Sequence, residues 1–343
     1  GDGDGDAGSE DSGVQDVIVN GLYVSPGGLD DNEGTEAAPY RTLAKAASMA
    51  TAGSTIVLLD GDYDSTTQPS FTQFNTQRIN IADGVTVRAL HEGEVVLHGL
   101  KGYLFTFLGS GTLQGLILDG FSTSIFATQG NLTIRETKFL VGGSNSGSPI
   151  DLSGTVQATI TPPSDGDYIG GATHNGFLTL RDSAKATITG GRFRGATSTG
   201  VTCNVLFAVT QSSTLVLDGI TADGNAQDAV YATGQADVTI RNSTLRNTTG
   251  TCNATVLLRE TPKLRVENTI ITESKGDGII ARNNASSNVT IDLVDTTISK
   301  SARNGVAFDL TDTTLRLPES GAPAPAPLQV APGVRSPEPY DPG

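Results

Sequence analysis

A short pattern of apolar and polar positions recurs along most of the chain. When the starting apolar residue is counted as position zero, the second position is also apolar, the fourth is glycine or a polar residue, and the seventh is apolar. From residue 186 onward the copies begin 29, 23, 26 and 27 residues apart, which is the spacing of a solenoid repeat. The clear copies begin at Leu132, Ala186, Val238, Leu264 and Ile291, and a looser copy begins at Leu215.

Alternation with a period of two residues predicts a short strand in each copy. The starting residue and the second position should point inward, the first and third positions outward, and the fourth position should form a turn. Short strands and turns without intervening helices favour a parallel β-helix over leucine-rich repeats. Antiparallel propeller blades are disfavoured because tight hairpin signals between paired strands are missing. The sequence therefore predicts an all-β fold, a single-stranded parallel β-helix.

Two local features refine this fold. The segment from Pro39 to Ala50 predicts a short helix, which would cap the first coil and hide the end of the core. At the turn position, Asn242, Asn268 and Asp295 are expected to stack in consecutive coils as a structural ladder.

The two ends of the chain differ in composition from the repeats. Residues 1–19 are acidic and rich in Gly and Asp, and residues 318–343 are rich in Pro, so both predict linkers. Residues 20–64 are predicted to form the cap and first coil, and residues 65–317 the β-helix. A folded body between two linkers is expected of one module in a larger or surface-attached protein, in an extracellular or cell-surface location.

Composition and charge exclude some classes of function. The chain has 42 Gly, no Trp and 17% charged residues, which favours strands and turns over helices. The formal net charge of -15 argues against nucleic-acid binding, which needs a basic surface. Ten of the 37 acidic residues precede the first cation, Arg41, so the rest of the chain is close to neutral. No apolar stretch is long enough for a transmembrane helix.

The N-terminal residues resemble a known family. Residues 23–43 read YVSPGGLDDNEGTEAAPYRTL and residues 53–63 read GSTIVLLDGDY. Both segments closely resemble the start of bacterial pectate-lyase-like right-handed β-helix proteins. Together with the coils, the resemblance covers residues 20–317 and implies a right-handed solenoid in an exported bacterial protein that acts on or near polysaccharide. It does not decide the activity, because this fold serves lyases, hydrolases, adhesins and members of unassigned function.

A lyase of this family would need carboxylates that hold calcium beside a uronate, and an Arg or Lys that removes a proton. On the outward third position, Asp218, Arg241 and Glu267 form an acid–base–acid row, and Arg265 lies beside Asp292 on the first position. Arg241 is therefore the catalytic candidate and Arg265 a substrate-binding candidate. Asp218, Glu267 and Asp292 are the candidate calcium ligands. The alternative is that these charges simply pair with one another across the strands.

Other candidates lie outside this row. Residues 142–176 break the repeat, and Tyr168 and His174 in this segment are candidate sugar-binding residues. Cys203 and Cys252 follow two longer coils on either side of a short one, so we predict a disulfide across it. Two unpaired thiols are the alternative.

Three functions are compatible with these features. The first is a non-catalytic surface module that binds polysaccharide or another cell-surface component. The second is a calcium-dependent lyase of an acidic polysaccharide, and the third is a structural stalk or adhesin. Glycoside hydrolysis is disfavoured, because no pair of carboxylates has the spacing that it requires. The sequence does not indicate an oligomeric state.

Overall fold

The computed structural model describes residue 18 and residues 20–71, 78–140, 147–163, 167–169, 176–194, 205–224, 228–248, 254–282, 289–309 and 313–316. For residues 167–169, 309 and 313–316 it describes the backbone alone. Nearly all of both predicted linkers lies outside these ranges. So do His174, Cys203 and Cys252, and the predicted disulfide and the role of His174 therefore stay predictions.

The chain winds into a right-handed parallel β-solenoid, as predicted, in which each coil contributes strands to three parallel sheets. Sheet 1 has twelve strands, and these are Gly21–Val24, Thr55–Leu58, Val85–Ala89, Gly111–Gln114, Asn131–Arg135, Gln157–Thr161, Lys185–Thr189, Thr214–Asp218, Asp237–Arg241, Lys263–Glu267, Val289–Val294 and Thr313–Arg316.

Sheet 2 follows sheet 1 within each coil and consists of two groups of short strands. The N-terminal group is Gly61–Tyr63, Val95–His98, Ile117–Asp119 and Lys138–Leu140. The C-terminal group is Asp167–Ile169, Arg192–Arg194, Thr221–Asp223, Thr244–Arg246, Ile270–Thr272 and Thr297–Ser299.

Sheet 3 completes the coil before the chain returns to sheet 1. Its ten strands are Ile79–Ile81, Tyr103–Phe107, Thr123–Ala127, Ile150–Leu152, Leu178–Leu180, Phe207–Val209, Val230–Ala232, Ala254–Arg259, Asp277–Arg282 and Val306–Asp309.

The core lies between the three sheets and follows the repeat pattern. The apolar residues at the second position of the pattern are buried and stack in register from coil to coil in sheet 1. Burying such a column removes one large apolar side chain per coil from water, at about 1.5–3 kcal/mol each. The column is Ile134, Ile160, Ile188, Leu217, Ile240, Val266 and Leu293.

The corner between sheets 1 and 2 requires a left-handed backbone. Asn242, Asn268 and Asp295 have φ angles of 52°, 44° and 46°, and Gly190 and Gly219 hold the same corner in earlier coils. Asn and Gly tolerate this conformation best, which explains the residue types at the fourth position of the pattern. Asn268 Nδ2 donates to Asn242 Oδ1 at 2.9 Å, so the predicted ladder is confirmed for these two residues.

A second left-handed corner follows sheet 3. Here a side chain from one coil accepts a hydrogen bond from the backbone of the coil before it. Gly154 N donates to Asp182 Oδ2 at 2.9 Å, and Asp182 N donates to Gln211 Oε1. Each of these three residues has a positive φ. The corners are therefore joined by side-chain as well as main-chain hydrogen bonds.

The single helix among the described residues is Leu43–Met49. It begins later than Pro39 because Tyr40 still pairs with Val24 of sheet 1, and because Thr42 Oγ1 accepts a hydrogen bond from Lys45 N. The helix contacts Gly21–Val24 and Ile79–Ile81, the first strands of sheets 1 and 3. It therefore covers the N-terminal end of the core. It is too short to span a membrane, so no helix of the described residues could do so.

The close stacking of corners predicts that adding a side chain destabilises the protein more at one glycine than at another. A Cβ at Gly154 would lie 2.3 Å from the carbonyl oxygen of Thr128, whereas a Cβ at Gly53 meets nothing within 4 Å. Both have positive φ angles. We expect Gly53→Ala to lower the free energy of unfolding by about 1 kcal/mol and Gly154→Ala by about 3 kcal/mol, because the second also displaces backbone. Chemical denaturation measures both, and equal losses would contradict this stacking.

Candidate functional site

The predicted charged row on sheet 1 lies in register. Asp218, Arg241 and Glu267 are paired on adjacent strands, and Arg265 is paired with Asp292. All five residues lie on the outer face, because their strand neighbours along the chain are buried in the core. The structure therefore brings the five residues together on one surface.

The charges of this row are bound to one another. Arg241 Nη2 lies 2.9 Å from Asp218 Oδ2, and Arg265 Nη1 lies 2.5 Å from Asp292 Oδ2. Arg265 Nη2 lies 3.4 Å from Glu267 Oε2. The hydrogen bond from Asn242, together with Arg241, holds the pKa of Asp218 below its usual value. The two arginines of the row are thus paired with its three carboxylates, as the pairing alternative predicts.

The contacts of the row do not identify a metal-binding site. Across the described ranges, no three Asp, Glu, His or Cys side chains are grouped as metal ligands. Calcium binding by Asp218, Glu267 and Asp292 therefore stays a prediction. The catalytic role of Arg241 and the substrate-binding role of Arg265 stay predictions too.

Tyr168 lies in the strand Asp167–Ile169 of sheet 2, inside the segment that breaks the repeat. It is paired in register with Phe193, which is fully buried. In the next coils, the residues at the same register position, Ala222 and Leu245, are also buried in the core. Sugar binding by Tyr168 stays a prediction.

The outer face of sheet 3 carries a small apolar cluster that the sequence analysis missed. Tyr231, Leu257, Ile280 and Ala307 are paired in register on four consecutive strands. The strand neighbours of Tyr231, Leu257 and Ile280 are buried in the core, so these side chains and Ala307 in register with them point outward. Leu257 and Ile280 are nevertheless only 5% exposed. The four residues form an apolar cluster, together with Ala254, that is separate from the main core.

Two arginines lie side by side on the same face. Arg259 and Arg282 are paired in register at the ends of adjacent strands. The guanidinium carbon of Arg259 lies 6.0 Å from the centre of the Tyr231 ring. Like charges on neighbouring strands repel each other and attract an anion, and Arg282 is in turn paired in register with Asp309 on the next strand. The Arg pair with Tyr231 is a candidate site for an anionic group on a sugar ring.

A buried carboxyl group lies at the start of this face. Asp228 Oδ1 accepts a hydrogen bond from Ala254 N at 3.2 Å, and Asp228 Oδ2 has no hydrogen-bond partner in the described structure. Burial raises the pKa of Asp228 to about 7, although the Ala254 hydrogen bond and the nearby Arg282 and Arg259 oppose this rise. A carboxyl group with such a pKa gains and loses a proton near neutral pH, as a general acid or base requires.

The sequence carried a weak signal for this site. The strands Ala254–Arg259 and Asp277–Arg282 both consist of buried residues followed by an arginine. The two arginines are 23 residues apart, close to the repeat length. An alignment anchored on sheet 1 does not show this match, because the connections between sheets 2 and 3 vary in length.

Asp228 predicts a pH effect on stability. Because its folded pKa is raised, the native state binds more protons than the unfolded state between about pH 4 and pH 7. The stability contributed by this residue should therefore fall as the pH rises through this range. Asp228→Asn removes the effect, so we expect the variant to gain stability relative to the wild type between pH 4 and pH 7. Denaturant unfolding at several pH values measures the gain, and a constant difference would contradict it.

Comparisons with known proteins support the fold. A family model for the right-handed β-helix region matches residues 167–298. The uncharacterized protein YwoF of Bacillus subtilis (strain 168) is 53% identical over 45 residues, which are 13% of this chain and 10% of that protein. Pectate lyase PEL9 of Emericella nidulans is 40% identical over 81 residues, which are 24% of this chain and 18% of that protein. The matches thus span less than a fifth of either relative.

A solved structure also supports the fold. The alginate lyase from Paenibacillus sp. str. FPU-7 superposes with a TM-score of 0.52 at 13% identity, over 80% of this chain and 97% of that chain. At this identity the likeness concerns the fold alone. The matched segment and the three stacked sheets confirm the expected resemblance and identify this chain as a right-handed parallel β-helix of pectate-lyase-like architecture.

Proposed function

We propose that this chain is an exported or cell-surface module that binds an acidic polysaccharide, without cleaving it, on the outer face of sheet 3. The observation that carries the proposal is the in-register pair of Arg259 and Arg282 beside Tyr231. Two guanidinium groups on adjacent strands, about 4.8 Å apart at the backbone, can bracket one carboxylate. The Tyr231 ring offers an apolar surface to the sugar.

The position of this face in the coil supports the proposal. The connections that lead from sheet 2 into sheet 3 vary in length, whereas the corner from sheet 1 to sheet 2 is short. Twelve residues separate Arg194 from Phe207, six separate Asp223 from Val230, and four separate Thr272 from Asp277. Variable connections beside a rigid sheet are common carriers of binding residues. A pectate lyase and an alginate lyase among the similar proteins also favour a polysaccharide ligand.

The arginine pair makes a quantitative prediction. Hydrogen bonds to charged groups contribute about 1.5–3 kcal/mol, so Arg259→Gln and Arg282→Gln should each weaken binding of a hexagalacturonate by roughly 10- to 100-fold. Isothermal titration calorimetry at low salt measures the dissociation constants.

Arg241→Gln is the matched control, because it removes the same charge from the outer face of sheet 1. We expect this control to bind within about twofold of the wild type. A larger loss in Arg241→Gln than in the two sheet 3 variants would move the binding site to the charged row of sheet 1.

Asp228 favours a second candidate function, cleavage of the same polysaccharide by β-elimination. The arginine pair would neutralise the uronate carboxylate and so acidify the adjacent C5 proton. The Asp228 carboxylate would take that proton, a double bond would form between C4 and C5, and the C4–O bond would break. The departing oxygen would then receive a proton. In the calcium-dependent form of this candidate, Asp218, Glu267 and Asp292 hold the metal and Arg241 is the base.

Ultraviolet absorbance of the unsaturated product separates these functions. The binding proposal predicts no rise in absorbance with polygalacturonate or alginate, with or without calcium. Cleavage through Asp228 predicts a rise that increases with pH up to about 7, survives a chelator and disappears in Asp228→Asn. Cleavage through the row on sheet 1 predicts a rise that a chelator or Arg241→Ala abolishes. A stalk would show neither cleavage nor binding.

A further inference from the structure

The amide ladder at the corner between sheets 1 and 2 has a direction. Asn242 Nδ2 donates to Asp218 Oδ1 at 2.8 Å, and Asn268 Nδ2 donates to Asn242 Oδ1 at 2.9 Å. Each amide thus donates to the coil before it and leaves its oxygen for the coil after it. The ladder starts from a carboxylate, Asp218, that accepts the first hydrogen bond.

The next coil does not continue the ladder. Asn268 N donates to the carbonyl of Val294, so the corner that follows Asn268 is the one at Asp295. An ionised carboxylate has no hydrogen to give to Asn268 Oδ1. Across the described ranges, the side chain of Asp295 has no hydrogen-bond or ion-pair partner, and Asn268 Oδ1 receives no donor. Two acceptors at equivalent corners of adjacent coils are therefore left without a donor from the described residues.

These two acceptors line a groove between the outer faces of sheets 1 and 2. Its other walls come from Asn242 and from the sheet 2 residues Thr244, Ile270 and Thr297. Ile270 is 47% exposed. The groove thus combines hydrogen-bond acceptors on one side with an apolar surface on the other.

We propose that this groove binds a neutral sugar residue of a glycan chain. Two vicinal hydroxyl groups would donate to Asp295 and to Asn268 Oδ1, and the C–H face of the ring would pack on Ile270. An acidic sugar is disfavoured, because its carboxylate would be repelled by Asp295. A metal ion is disfavoured because Asp295 is the one carboxylate in the groove lining.

This site is independent of the acidic site on sheet 3, since it lies on a different face and uses different residues. A failure of one site is therefore distinguishable from a failure of the other. The double variant Arg259→Gln/Arg282→Gln should keep the binding of neutral glycans, and variants of Asp295 should keep the binding of hexagalacturonate.

Saturation-transfer difference NMR with mannohexaose and cellohexaose tests the proposal. We expect transfer to at least one of these neutral hexaoses with the wild type, and at least a fivefold weaker signal with Asp295→Ala and with Ile270→Thr. Asp237→Asn is the matched control. Asp237 is an exposed aspartate like Asp295, but it lies at the start of a sheet 1 strand and outside the groove. This variant should retain the full signal.

Asp295→Asn gives a second readout that does not depend on the glycan. Its amide would donate to Asn268 Oδ1 and continue the ladder, so we expect a higher melting temperature than for the wild type, whose Asp295 also tolerates the left-handed backbone of this corner. The absence of transfer to both hexaoses with the wild type would overturn the proposal, as would an unchanged signal in Asp295→Ala. Equal melting temperatures of Asp295→Asn and the wild type would overturn the ladder argument.

Discussion

The in-register stacking of each coil on the coil before it is the interaction on which this structure depends. Strands of all three sheets pair in parallel, so a residue at one position of a coil lies against the equivalent residue of its neighbours. The same stacking brings corner backbones together so closely that Gly154 has no room for a Cβ beneath Thr128. Corners therefore accept Gly, Asn and a few polar residues that tolerate a left-handed backbone.

Stacking also decides which polar groups satisfy one another. On sheet 1 the charges alternate from coil to coil, and Arg241 and Arg265 bind neighbouring carboxylates. On sheet 3 two arginines are adjacent, and Asp228 is buried with one oxygen unbonded. At the corner beside Asp295, the described residues supply no donor to Asp295 or to Asn268 Oδ1. Both proposed sites lie where stacking places chemically similar groups on adjacent coils, two arginines on sheet 3 and two oxygen acceptors at the corner beside Asp295.

The sequence predicted the features that follow from local periodicity. The repeat anchored on sheet 1 correctly gave the buried column, the outward row and the corner position of Asn242 and Asn268. The helix was predicted a few residues too long, because the pairing of Tyr40 with Val24 is a contact between distant residues. Such contacts are not visible in a local pattern.

The candidate site on sheet 3 was missed for a similar reason. Its strands do not keep a constant distance from those of sheet 1, so one template cannot align both. The raised pKa of Asp228 arises from burial by the folded chain, which no residue type or spacing specifies. Pairing between the charges of sheet 1 was one of two alternatives at the sequence level, and side-chain distances were needed to establish it.

A crystal structure of the protein with a bound hexagalacturonate would locate the acidic ligand. We expect a uronate carboxylate between the guanidinium groups of Arg259 and Arg282, with a sugar ring against Tyr231. A ligand bound instead along Arg241 and Arg265 on sheet 1 would refute binding on sheet 3 and would support the charged row as the functional site.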